Sequence, residues 1–124
     1  MSRGWCSPDA LLVDDAGRSD LHAHGEHTVE QMAGALYRSL TGRLLGLPDH
    51  LVLFPGHYSG SLCGRGLSAT PVSTIGFERR HNPALQFNSE EFVAALIRDV
   101  PPAPDRQAAI IAANRSGRPL APLA

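Results

Sequence analysis

The chain has 124 residues, 43% of them hydrophobic and 19% charged, with a formal net charge of −1. That leaves room for one domain around a single core and too little for two, and the balance excludes both a disordered tail and a basic nucleic-acid binder. No stretch approaches the ~18 apolar residues of a membrane span, and MSRGWCSPDALLVDD lacks the apolar core of a signal peptide, so a soluble cytoplasmic protein with no membrane partner is expected.

In chain order, the first apolar run is ALLV, residues 10–13, which reads as a buried strand opened by Asp9 and running into the polar loop DDAGRSD. From Thr28 the period changes: Val29, Met32, Ala33, Leu36, Tyr37, Leu40 and Leu44 recur at helical spacing. They predict a helix over 29–45 with Thr28 and Gln31 as a capping box. LVLF, residues 51–54, is a second strand that ends at Pro55-Gly56 and delivers His57 to a loop. The Gly- and Ser-rich stretch that follows has no periodicity, and such loops inside a small domain are more often functional than idle. STIGFERRHNPAL predicts a short helix from Thr74 closed by Asn82-Pro83. Asn88 to Glu91 cap a further helix carrying Phe92, Ala95 and Leu96 that stops before Pro101-Pro102, and a last helix covers 106–114, with 115–124 as a loose tail. The order is α/β, yet only two strands are convincing, and two strands rarely make a stable sheet alone.

Three groups of residues carry candidate chemistry. HAHGEH, residues 22–27, brings His22, His24 and His27 into the spacing of a three-nitrogen zinc site, while the bland alternative is a polar lead-in to the helix with Glu26 favouring its dipole. Asp9 and His57 sit where strand ends tend to place functional groups, although a lone His after Gly is usually a surface residue. Nucleophile readings fail: YSGSL is not a G-x-S-x-G elbow, and Cys6 and Cys63 form no CxxC pair, so neither a disulfide framework nor a cysteine zinc knuckle is indicated.

Taken together, PDALLVDDAGRSDL, the helix with LLGLPD, LVLFPGHYSG and STIGFERRHNPAL resemble, in that order, the C-terminal half of metallo-β-lactamase-fold metallohydrolases. The branch resembled holds persulfide dioxygenases and hydroxyacylglutathione hydrolase (glyoxalase II)-like proteins. The resemblance implies an α/β fold, the C-terminal half of a four-layer αββα sandwich, with residues 1–124 as a single partial domain. It implies that Asp9 is a metal ligand, in a Pro8-Asp9 pair where the family has Gly-Asp. It also implies that His57, of the PGH motif, is a ligand chiefly in the dinuclear hydrolases, and that Arg18 and Asp20 of GRSDL brace the site from behind. The family's own H-x-H-x-D-H signature precedes the strand of the Asp ligand, whereas HAHGEH follows it. That position counts against His22, His24 and His27 as the catalytic metal set.

The expected function is that of a metal-dependent hydrolase with one or two Zn²⁺, acting on a thiol or thioester substrate of glutathione type. The alternative is an Fe²⁺ persulfide dioxygenase. With so few ligands the chain by itself is expected to hold metal weakly and to lack catalysis, as a truncated piece or as a split half that needs a complementary N-terminal half or a second copy. A half-domain would expose the apolar faces of ALLV and LVLF and an unpaired strand edge.

Overall fold

The computed structural model describes residues 4–7, 9–22, 27–58, 68–98, 100 and 105–117. Among these, Gly4–Ser7 forms a strand, β1, that the sequence pattern does not announce, because GWCS has no alternation to read. It pairs in parallel with β4, Val52–Pro55, in the register Gly4↔Val52 to Ser7↔Pro55. Gly4 has to be small: a Cβ there would lie 2.4 Å from the Phe54 ring. On its other side β4 pairs antiparallel with β5, Ser73–Thr74, so that the sheet order is β1-β4-β5.

The segment ALLV is not a free-standing strand. Leu11–Leu12 (β2) and Asp15–Ala16 (β3) form a minimal hairpin, with Asp14 in the left-handed region at φ 63°, a conformation that Asp tolerates better than most residues. The expected exposure of ALLV is also wrong, since Leu11, Leu12 and Val13 are buried within the chain. In LVLF only Phe54 stands out to solvent, and Leu53 is fully buried.

Helix α1, Val29–Ser39, begins where expected. Thr28 Oγ1 accepts from the Gln31 amide while Gln31 Oε1 accepts from the Thr28 amide, so both halves of the capping box are made. Its end continues as a π-helical turn, Leu40–Leu44, so the expected span of 29–45 is helical up to Leu44, widens in its last turn, and has Leu45 as its cap. Thr74 caps α2, Ile75–His81, and Asn82 before Pro83 ends it in extended backbone. Helix α3, Ser89–Arg98, opens on Asn88, whose side-chain oxygen accepts from the Glu90 and Glu91 amides; it stops short of Val100. Helix α4, Gln107–Ser116, runs past the expected end at 114 and closes on Gly117 at φ 66°, so Arg115 and Ser116 are helical rather than tail.

One core joins these pieces. Leu11 and Ala16 of the hairpin, Ala33 of α1, Leu40, Leu53 of β4, Ile75 of α2, Ala84, and Phe92 and Leu96 of α3 form a continuous buried cluster. Helices α1 and α3 pack on each other, with the Tyr37 and Phe92 rings 5.3 Å apart. At the end of the π turn, Arg79 donates to the carbonyls of Leu45 (2.5 Å) and Leu47 (2.8 Å) and, with Arg80, to Asp49. Hydrogen bonding from Arg80, aided by the nearby charge of Arg79, holds the exposed Asp49 carboxyl below the usual range. No helix among the described residues is long and apolar enough to cross a membrane.

Candidate metal centre

The parallel pairing of β1 with β4 decides the geometry of the site. Ser7 and Pro55 are register partners, and two residues beyond each come Asp9 and His57, at the C-terminal ends of neighbouring parallel strands. His57 Nδ1 lies 3.0 Å from Asp9 Oδ1. The ring is 37% exposed and the carboxylate 69%. Nδ1 itself is shielded from solvent and has no hydrogen-bond partner among the described residues, so the two atoms are close without being aligned as donor and acceptor. An oxygen and a nitrogen of ligand type thus lie side by side at one end of the sheet.

Local structure holds Asp9 tightly. Ser7 Oγ accepts from the Leu11 amide (2.9 Å), closing the bend that contains Asp9, and the Gly17 amide donates to Ala10 O (3.1 Å). A Cβ on Gly17 would lie 1.7 Å from the Asp9 carbonyl oxygen. The glycine of GRSDL is therefore required for the close approach of two backbones, a role that the sequence pattern alone does not reveal.

Arg18 and Asp20 form a two-pronged pair, Nε to Oδ1 at 3.0 Å and Nη2 to Oδ2 at 2.5 Å. Hydrogen bonding from Arg18 is the main reason that the Asp20 carboxyl is held below its usual range. Of the two, Arg18 lines the same cavity as Asp9. Asp9, Arg18 and Ser19 share with Leu21, Met32 and Leu36 a largely apolar cavity of about 430 Å³, in whose wall Ser19 Oγ is buried without a partner among the described residues.

HAHGEH contributes little that can be placed. Residues 23–26, His24 among them, lie outside the described residues; His22 closes a short 3-10 turn, Asp20–His22, and His27 is exposed just before the Thr28 cap. Pro8, and Cys63 with the loop residues 59–67, also lie outside them. No group of three or more His, Cys, Asp or Glu side chains that could hold a metal occurs among the described residues.

The sequence reading missed the polar residues that tie these parts together. Glu78 and Asn82 are fully buried; Glu78 falls at i+3 from Ile75 on one face of α2, the spacing that could have exposed it as inward-pointing, and Asn82 follows as the extended C-cap.

Comparisons with known proteins complete this picture. No family model matches the chain. It is 33% identical over 89 residues to persulfide dioxygenase ETHE1, mitochondrial, of Bos taurus, and 32% identical over the same length to its counterpart in Mus musculus. Each of these matches covers 71% of this chain and 29% of the relative, so the chain spans under a third of the curated relatives it matches. A metallo-β-lactamase from Staphylococcus aureus superposes with a TM-score of 0.76 at 33% identity, covering 97% of this chain and 33% of that one. The chain has the fold of a part of a metallo-β-lactamase-fold protein, and over that part it is similar to persulfide dioxygenases. ETHE1 from Myxococcus xanthus agrees, with a TM-score of 0.65 at 34% identity over 90% of this chain and 44% of that one. The α/β architecture expected from the motif order is thus the one found.

Proposed function

We propose that this chain supplies the carboxylate arm of a mononuclear Fe²⁺ centre that oxidises a persulfide of glutathione type. The observation that carries the proposal is the position of Asp9, largely exposed at the C-terminal end of β1 and 3.0 Å from His57 at the end of the neighbouring parallel strand, in a chain whose curated relatives are named persulfide dioxygenases. Asp9 is the ligand in this reading and His57 lies beside the metal. The main expectation from sequence, a Zn²⁺ thioester hydrolase in which His57 binds a second ion, keeps the same residues but draws less support, because the named relatives are dioxygenases. A cytoplasmic setting is part of the same proposal.

Iron held by two His and one carboxylate leaves open positions for O₂ and a thiol-derived substrate. This chain's own part is narrower. Ser7 and Gly17 fix the Asp9 backbone, the Asp9 carboxylate would hold the ion, and the cavity beside it would take the methylene and sulfur part of the substrate. Two donors are too few for tight binding, so the chain purified alone should carry metal well below one equivalent. The remaining histidine ligands would come from the complementary N-terminal half.

The test is a chimera in which this chain replaces the matching segment of Myxococcus xanthus ETHE1. Persulfide-dependent O₂ uptake with one iron per chain is expected. Hydrolysis of a glutathione thioester with two zinc ions per chain would instead establish the hydrolase.

A further inference from the structure

Glu78 sits between the two arms that carry the candidate ligands. Its Oε1 accepts from Ser73 Oγ (2.5 Å), and Ser73 belongs to β5, which is hydrogen-bonded to β4, the strand leading to His57. Its Oε2 accepts from the Asp14 amide (3.0 Å) at the tip of the β2–β3 hairpin, whose other end holds Asp9 against Gly17. Asn82, one turn along, donates from Nδ2 to Glu78 Oε2 (2.8 Å), Asp15 O (3.0 Å) and Leu12 O (3.3 Å), while its Oδ1 accepts from the Ala84 amide (3.0 Å). Both side chains are fully buried.

A hairpin with two residues per strand has almost no stability of its own, so its orientation must come from outside. Here the core packing of Leu11 and Ala16 is joined by two polar side chains of one segment, Asn82 on the hairpin carbonyls and Glu78 with one oxygen on each arm. From this we infer that Glu78 and Asn82 are positioning residues that set the spacing between Asp9 and His57. The inference deepens the proposed function, because it concerns the same pair, but its geometric content is independent of which metal binds there.

The experiment uses the full chain and two NMR readouts. The first is the nuclear Overhauser contact between the Asp9 and His57 side chains, together with the amide shifts of Ala10 and Gly17. The second is local line broadening on addition of Mn²⁺ alone. Asn82→Ala and Glu78→Met should lose the contact and move both amides. Glu78→Gln, which can still accept from Asp14 and donate to Ser73 Oγ, should restore them. Ser73→Ala is a milder variant that removes one donor to Glu78 and no apolar core side chain, and it should shift His57 alone. Phe92→Leu, which loosens the core without touching these hydrogen bonds, should keep the contact. Mn²⁺ broadening centred on Asp9 and His57 in the parent chain should need roughly tenfold more ion in Asn82→Ala, the size of effect seen when groups behind a metal ligand are removed. If Asn82→Ala, Glu78→Met and Ser73→Ala all keep the contact and the parent shifts, the positioning role is overturned. If the parent chain shows no local Mn²⁺ broadening while the contact responds as stated, the ligand reading fails and the positioning role stands.

Discussion

Two carboxylates flank the same small hairpin and differ in almost every respect. Glu78 is fully buried and both of its oxygens are occupied by donors from separate parts of the chain, whereas Asp9 is 69% exposed beside a histidine nitrogen that has no hydrogen-bond partner among the described residues. Buried polar groups are normally satisfied because an unpaired one costs about 1–3 kcal/mol. The difference separates a carboxylate that the fold uses fully from one that it leaves largely in solvent. Glu78 and Asn82 build; Asp9, in the function proposed above, is the carboxylate that would take a ligand.

If that contrast is right, changes on the two sides should have opposite consequences. Asn82→Ala strands the carbonyls of Leu12 and Asp15 and should cost roughly 3 kcal/mol in urea unfolding. Gly17→Ala pushes a methyl into the Asp9 carbonyl and should cost about 1–3 kcal/mol, with Asp9 displaced as well. Thr28→Ala removes a cap far from the site and should cost about 1 kcal/mol while leaving the Asp9–His57 pair as it is. The Arg18–Asp20 pair is smaller still, under about 1 kcal/mol. Because the folded Asp20 carboxyl lies below its unfolded value of about 3.9, this contribution is complete above that pH and fades only as the pH falls through the depressed folded value. In an acid unfolding series, Asp20→Asn and the parent should therefore be separated above about pH 4 and converge only as the pH falls through the depressed folded value. At the bottom of the scale, Asp9→Asn should change stability by no more than about 0.5 kcal/mol, since its side chain is largely in solvent.

What could be read from sequence follows the same division. The helices were legible because apolar spacing and caps are local: Thr28 with Gln31, Thr74 and Asn82-Pro83 mark their own boundaries. Asp9 and His57 were legible through motif order, since each follows or precedes a recognisable apolar run. Their proximity was not, because it depends on β1, a four-residue strand without alternation whose register with β4 sets both side chains at one level. HAHGEH drew notice through composition, which carries no information about place in the fold. Glu78 went unread, and Asn82 was read only as a helix stop, for the converse reason: polar residues along or just after a helix look solvated until a hairpin 64 or more positions away in sequence is known to lie on them.

The most direct measurement is the iron content of the Myxococcus xanthus ETHE1 chimera carrying this chain, compared across three substitutions. Asp9→Asn should reduce iron from near one equivalent to a small fraction, whereas His57→Ala and the His22→Ala/His24→Ala double change should leave it close to the parent level. Full iron occupancy in Asp9→Asn, or its loss in the double histidine change, would contradict the assignment of the metal site to Asp9.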